Sequence, residues 1–258
     1  MNVVVCVKQI PDPADPGALD PESKTLKRDG KLILDESDSY GVEMALQLAG
    51  DSGEVTLVSM APNGEVSGLR TALAMGAAKA VLVSDDALKG SDALTTAKVL
   101  AKAIERAGSY DLILAATESS DGYTGVVPEQ IAAVLGLPSV TFAKSVTIDG
   151  DTVKVDRQTE AGYDEVVSPL PAVVSVTAGV VEPRYPSFKG IMAAKSKPVD
   201  QLTLADIGIE ASNAGWAGAG QEIIEVATAA QREAGEIIED DGEAFTKVVD
   251  FLSNLKVI

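Results

Sequence analysis

Histidine is absent from these 258 residues, and there is a single cysteine. The first absence removes the commonest metal ligand and the usual general base. The second excludes an internal disulfide, a CxxC redox pair and a cysteine-ligated cluster. No apolar run approaches the roughly 18 residues that a membrane-crossing helix needs, so no membrane insertion is expected. Cations are scarce: 21 Lys and Arg stand against 39 Asp and Glu, a formal charge of −18. Binding nucleic acid without regard to sequence requires cations that displace counterions, so that class is excluded, as is an anionic membrane surface. The charge serves solubility, or it steers basic or patchy protein partners. There is no GxSxG, no Walker lysine motif and no HExxH, and no carboxylate spacing selects an acid–base pair. The chain therefore reads as a non-enzyme without a metal site. A redox role would need a bound cofactor, for which no covalent attachment point is offered. The opening residues, MNVVVCVKQ, carry neither a basic leader nor a small-residue cleavage site, which sets the expectation of a cytoplasmic protein.

What is present is alternation. Short apolar runs at 3–7, 55–60, 80–83, 112–116 and 140–143 read as buried strands. Between them, helical patterns fall at about 37–49, 66–75, 93–107 and 127–135. Ser37, Asp38 or Ser39 is a candidate cap, Gly76 a stop, and Gly136 with Pro138 a second stop. Strand–helix alternation predicts a doubly wound α/β fold with a mostly parallel sheet. Between 146 and 167 the pattern changes to β-branched stretches around turn residues, an antiparallel ribbon, and 172–177 rejoins the core. The expected organisation is a domain over 1–205, a flexible acidic linker over 206–243, and an amphipathic C-terminal arm over 244–258. The stretch ASNAGWAGAG at 211–220 is small and glycine-rich, and it follows no strand, so it reads as linker rather than phosphate loop. In the arm, Phe245, Val248, Val249, Leu252 and Leu255 share one face, which must pack on its own domain or on a partner.

Two segments carry candidate function. Residues 117–127, TESSDGYTGVV, lie between a strand and a helix, where open α/β sheets bind ligands. Gly122 and Gly125 would let backbone amides approach a phosphate, Thr124 adds a hydroxyl, and the amides of Val126 and Val127 open the next helix toward an anion. A plain capped turn fits the same residues, and Asp121 suits a turn or cap better than a phosphate contact. The second segment, 181–198, reads VEPRYPSFKGIMAAKSKP. Its Arg184, Lys189, Lys195 and Lys197 against Glu182 make it locally +3 on an acidic chain. Tyr185, Phe188, Ile191 and Met192 supply apolar tips in a stretch broken by prolines and glycine. Charge for steering and apolar side chains for anchoring describe a docking loop. A surface loop whose lysines offset nearby carboxylates describes it as well.

The order of residues adds a resemblance. LPAVVSV at 170–176 followed by EPRYPSFKGIMAAKSKP resembles the beta subunits of electron transfer flavoproteins. VKQIPD at 7–12, RTALAMGA at 70–77, DGYTG at 121–125, and GLP with VTF over 136–142 agree with it. It covers about residues 1–205 and the last twenty or so. The resemblance implies a Rossmann-like fold of adenine-nucleotide-binding type. AMP would sit with its phosphate on Gly122, Thr124, Gly125, Val126 and Val127, and with its adenosine end near Cys6, Val7, Met60 and Ala61. Asp35 stands where many members have Asn-Pro-Phe, and Thr117-Glu118 replaces a frequent Lys-Gln pair. The redox FAD would be held mainly by an alpha subunit in a heterodimer. Dehydrogenases such as acyl-CoA dehydrogenases would dock on 181–198 through Arg184, Tyr185, Phe188, Ile191, Met192 and Lys195, with Arg184 bracing the loop and Lys195 and Lys197 tuning the on-rate. Electrons would pass on to a quinone oxidoreductase or another acceptor, and the arm would reach over the partner. Two alternatives are an electron-bifurcating member with a second FAD in the AMP slot, and a free-standing adenine-nucleotide sensor. The latter has no need of the EPRY segment or the arm.

Overall fold

A computed structural model describes residues 1–14, 17–227, 235, 237–240 and 242–258. They form two compact units, Met1–Ile223 and Ile224–Ile258. In the first, β1 (Asn2–Cys6) leads through a small antiparallel pair, β2 (Gln9–Pro11) and β3 (Leu32–Leu34), to α1 (Glu36–Ala49). Next come β4 (Glu54–Ala61), α2 (Ser67–Met75), β5 (Lys79–Ser84), α3 (Ala93–Ala107), β6 (Leu112–Ala116) and α4 (Val127–Leu135). The ribbon follows as β7 (Ser139–Asp149), β8 (Thr152–Thr159) and β9 (Gly162–Pro169). Then come β10 (Ala172–Val176), α5 (Phe188–Ala194), β11 (Val199–Leu202) and a four-residue turn of helix, α6 (Gly215–Gly218). The second unit contributes α7 (Ala244–Asn254).

The main sheet runs β11-β5-β4-β1-β6-β10-β7-β8-β9. Every pairing is parallel as far as β7, and β8 and β9 are antiparallel. The expected doubly wound, mostly parallel sheet is therefore present, with its antiparallel ribbon. The 140–143 run is the first part of an eleven-residue strand. β7 pairs with β10 at one end and with β8 at the other, with a register shift near Ala143 in each pairing.

Period-two alternation splits the core into two layers. Val3, Val5 and Leu57 face one side, with Leu69 and Leu73 of α2 and Val42 of α1. Val4, Cys6 and Val58 face the other, with Val99 and Ile104 of α3 and Ile131 of α4. Truncating a fully buried leucine such as Leu57, Leu69 or Leu73 to alanine costs about 2–5 kcal/mol. The chain moves outward from β1 through β4 to β5 and then returns to β6 on β1's other side. The carboxyl ends of β1 and β6 thus flank a topological switch point, the place where open α/β sheets bind ligands.

Residues 206–223 depart from the linker expectation. Ala214 is buried, Gly215 N–H donates to Ser91 Oγ (3.1 Å), and Trp216 N–H donates to the Lys89 carbonyl (2.9 Å). Gly220 N–H reaches Asp92 Oδ2 (2.7 Å). A Cβ on Gly90 would overlap the Trp216 ring, and one on Gly215 would overlap the Ala87 carbonyl. The glycines that read as linker composition are what allow close docking. The compact unit therefore runs to Ile223 rather than ending at 205. Part of the acidic stretch 222–241 lies outside the described residues.

Candidate functional site

At this switch point α1's cap meets the 117–127 loop. Asp35 Oδ1 accepts the Ser37 N–H (3.0 Å), so the helix starts at Glu36 and its cap is Asp35 rather than Ser37, Asp38 or Ser39. Asp35 Oδ2 accepts both Ser120 N–H (2.7 Å) and Ser120 Oγ–H (3.1 Å), while Asp35 N–H donates to the Lys8 carbonyl (3.0 Å). Asp35 is fully buried. Both of its oxygens accept from protein groups, tying the loop to the helix.

Asp121 lies one residue further along the loop, its side chain 6% exposed. It accepts from Lys8 Nζ (2.6 Å) and pairs with the Arg28 guanidinium. Burial pushes its carboxyl up, but Lys8 and Arg28 together hold it below the usual range. Lys8 Nζ also reaches Ser119 Oγ (3.1 Å). Asp38 is buried as well and accepts the Lys8 backbone N–H (2.6 Å). Its carboxyl is raised well above the usual range, chiefly by burial, with Asp35 and Asp121 adding repulsion that Lys8 partly offsets. Cys6 faces the α3–α4 layer, and its thiol is pushed up to about 12 by burial and by Asp38. It is a small core side chain, not a nucleophile.

The far side of the loop is arranged differently. Thr117 N–H and Oγ–H both donate to the Val176 carbonyl, and Tyr123 N–H to that of Ser119. Gly125 has φ +64°, the left-handed region that favours glycine. α1, α3 and α5 begin with the side-chain caps Asp35, Asp92 and Ser187, and at α2 Glu65 and Gln9 take the amides of Ser67 and Gly68, whereas α4, like α7, follows a residue that makes no such bond. First-turn amides have no intrahelical acceptor; Pro128 has no N–H, which leaves those of Val127 and Glu129 pointing out of the helix start. With the helix dipole, this end is suited to an anion. Thr124 and Val126 are exposed beside it. Exposed Glu118 lies against Gly125, its Oε2 3.3 Å from where a Cβ would stand, so an entering anion must turn that side chain aside.

The sheet brings Cys6, Val7 and Asp35 together at the end of β1, with Met60 and Ala61 ending the neighbouring β4 and Gly122, Thr124, Gly125, Val126 and Val127 following β6. Lys8 and Arg28, absent from the sequence-based set, belong to the same assembly. Lys8 was visible inside VKQIPD, but Arg28 lies 93 positions from its carboxylate and carried no local signal. Among the described residues no group of three or more His, Cys, Asp or Glu could hold a metal ion, and no helix is long and apolar enough to cross a membrane.

The 181–198 segment packs on α1 and α2. Tyr185 and Phe188 are 93% and 81% exposed, and Ile191, Met192 and Lys195 are also exposed. Instead of an open loop, the segment contains α5, capped by Ser187 Oγ on Gly190 N–H (3.0 Å). Two cations of the segment are engaged by its own fold, Arg184 while half exposed and Lys197 while partly buried. Arg184 holds Glu43 of α1, and Lys197 Nζ donates to the Leu73 (2.8 Å) and Ala77 (2.6 Å) carbonyls at the end of α2.

The model of the electron transfer flavoprotein domain matches residues 24–207. Over 264 positions the chain is 40% identical to the electron transfer flavoprotein subunit beta of Mycobacterium leprae (strain TN), covering 100% of this chain and 99% of the relative. It is 37% identical over 262 positions to the protein of the same name from Thermoanaerobacterium thermosaccharolyticum, spanning the full length of both. It is 33% identical over 241 positions to the caffeyl-CoA reductase-Etf complex subunit CarD of Acetobacterium woodii, covering 92% of each. With a matching domain over most of its length and relatives aligned end to end, this chain belongs to the electron transfer flavoprotein beta-subunit family.

Proposed function

We propose that this chain is the beta half of a cytoplasmic, heterodimeric electron carrier, with FAD held mainly by an alpha subunit and AMP seated at the carboxyl ends of β1, β4 and β6. The observation that carries the nucleotide assignment is the uncapped start of α4 behind Gly125, at the switch point of a parallel sheet. The amides of Val127 and Glu129 would take the phosphate, with Thr124 beside them. The ends of β1 and β4, at Cys6, Val7, Met60 and Ala61, would line the adenosine side. Asp35, Asp121, Lys8 and Arg28 would hold the loop in shape rather than touch the nucleotide. FAD, when bound between the subunits, supplies the redox chemistry. This chain's residues contribute a wall and a grip.

Donor dehydrogenases, acyl-CoA dehydrogenases among them, would dock on the exposed Tyr185, Phe188, Ile191 and Met192, with Lys195 steering. Burying a phenylalanine is worth about 1.5–3 kcal/mol. Phe188→Ala is therefore expected to lower kcat/KM for transfer from a reduced acyl-CoA dehydrogenase by about 10–100-fold. The melting temperature should not move, because the ring already faces solvent. Unchanged transfer in that variant removes the docking assignment. The slot is tested by the mass of nucleotide released from the purified complex: AMP with one flavin supports the reading, two flavins replace it with the bifurcating form, and no nucleotide sinks it.

A further inference from the structure

α1 does two jobs at once. Its first turn carries the loop brace, through Asp35 and Asp38, and its eighth residue, Glu43, carries the docking segment. Glu43 is nearly enclosed, its side chain 4% exposed, in the middle of a helix that packs on the sheet. Its two oxygens take four donors. Oε2 accepts Arg184 Nε–H (2.6 Å) and, at 3.3 Å, the Arg184 backbone N–H; Oε1 accepts Arg184 Nη2–H (2.9 Å) and Gln47 Nε2–H (2.8 Å). This is a two-pronged carboxylate–guanidinium pair, which fixes direction as well as distance. Burial pushes the Glu43 carboxyl up, but Arg184 and Gln47 hold it below the usual range, so it is charged at neutral pH.

The other end of the segment is fastened independently. Arg70 of α2 donates through Nη1 to the Ala194 (2.7 Å) and Lys197 (2.6 Å) carbonyls. Gly190 lies so close to the Ala74 carbonyl that a Cβ would overlap it. Between these two attachments stand Tyr185, Phe188, Ile191 and Met192, all exposed. An apolar patch held at both ends forfeits less chain freedom on docking than a loose loop does.

We propose that Glu43 is a positioning residue for partner docking: through Arg184 it holds the entry to α5 so that Phe188 and its apolar neighbours are presented in one orientation. The proposal rests on the docking reading above and deepens it. Glu43 touches no partner; it acts through Arg184.

The test uses the protein in the assembly in which it is isolated, with Glu43→Gln, Arg184→Lys, their combination, and Phe188→Ala as reference. Arg184 is half exposed, so the lysine variant folds even where loss of the Glu43 charge disturbs α1. Two readouts are taken: hydrogen exchange of amides 185–193 without any dehydrogenase, and electron transfer from a reduced acyl-CoA dehydrogenase titrated with carrier. The expected result is faster exchange in both single variants and a KM raised about tenfold with kcat within twofold, because lost orientation weakens encounter and leaves the electron step alone. The double variant should be no worse than the more affected single one, since both remove one interaction. Unchanged exchange, or faster exchange with unchanged KM, overturns the proposal. Should Phe188→Ala itself leave transfer intact, the docking reading falls first. That result differs from failure of the Glu43 role, in which Phe188→Ala slows transfer while Glu43→Gln and Arg184→Lys do not.

Discussion

α5 and α7 both present apolar side chains to solvent, but by opposite means. α5 has seven residues, too few to be stable alone, and is held by Arg184, Arg70, Lys197 and the bare Cα of Gly190. α7 has eleven residues and a clean amphipathic pattern, and none of them is buried; Phe245, Val248, Val249, Phe251 and Leu255 are exposed. A short helix stapled by ion pairs and carbonyl contacts is already ordered before a partner arrives. A longer helix whose apolar side chains are exposed would gain stabilisation from a surface that covers them. The first suits a contact that forms and breaks with each electron delivered, and the second suits a lasting one.

The largest expected effect falls on α7. On the reading that the arm reaches over an alpha subunit, as the family resemblance implies, replacing Val248 and Val249 with aspartate should weaken that binding at least 100-fold, since covering two aliphatic side chains is worth about 3–6 kcal/mol together. Titration calorimetry reads this, and the urea midpoint of the Met1–Ile223 unit should stay put. Next, Gly190→Ala should push α5 off α2 and make it resemble α7. The overlap with the Ala74 carbonyl is expected to cost about 1–3 kcal/mol, seen as a lower urea midpoint. A stable variant with normal docking would contradict the close-packing account.

Acid should separate the two helices as well. Glu43 has a carboxyl pKa below its unfolded value near 4.5, so its contribution is complete above that value and is lost as pH falls through the folded one. Amides 185–193 should therefore lose protection in acid, after correction for intrinsic rates, while α7 shows no matching step. Smallest of all, Lys195→Ala should slow association with the dehydrogenase by about threefold at low salt, and not at high salt, because an exposed charge acts at long range and is screened. A shift in dissociation rate instead would mean that Lys195 makes a direct contact.

Much of this is legible in the sequence. The strands at 3–7, 55–60 and 112–116 and the helices at 93–107 and 127–135 follow from apolar periodicity, which is a local property. So do the apolar tips at Tyr185 and Phe188, whose exposure the flanking prolines and lysines foreshadow. Less was readable at the ends of elements. Asp35 rather than Ser37 caps α1 because Asp35 has Ser120 as a second, distant partner. The 211–220 stretch looks like linker by composition, yet its glycines are there to let backbone and Trp216 lie flat against Gly90 and Ala87.

The amino-acid order alone determined the layering of the sheet, the family, and the segments where a phosphate and a partner would be sought, since each is written in neighbouring residues. Only the tertiary structure decided which charges are tools and which are fasteners. Lys197 looks identical to Lys189 and Lys195 in sequence, yet it holds the end of α2, and Arg184 finds its partner in Glu43 of α1. Asp121 likewise belongs to Lys8 and Arg28 rather than to solvent. An ion pair's energy depends on burial and on a partner 90 to 140 positions away, and neither is encoded in the spacing of nearby residues.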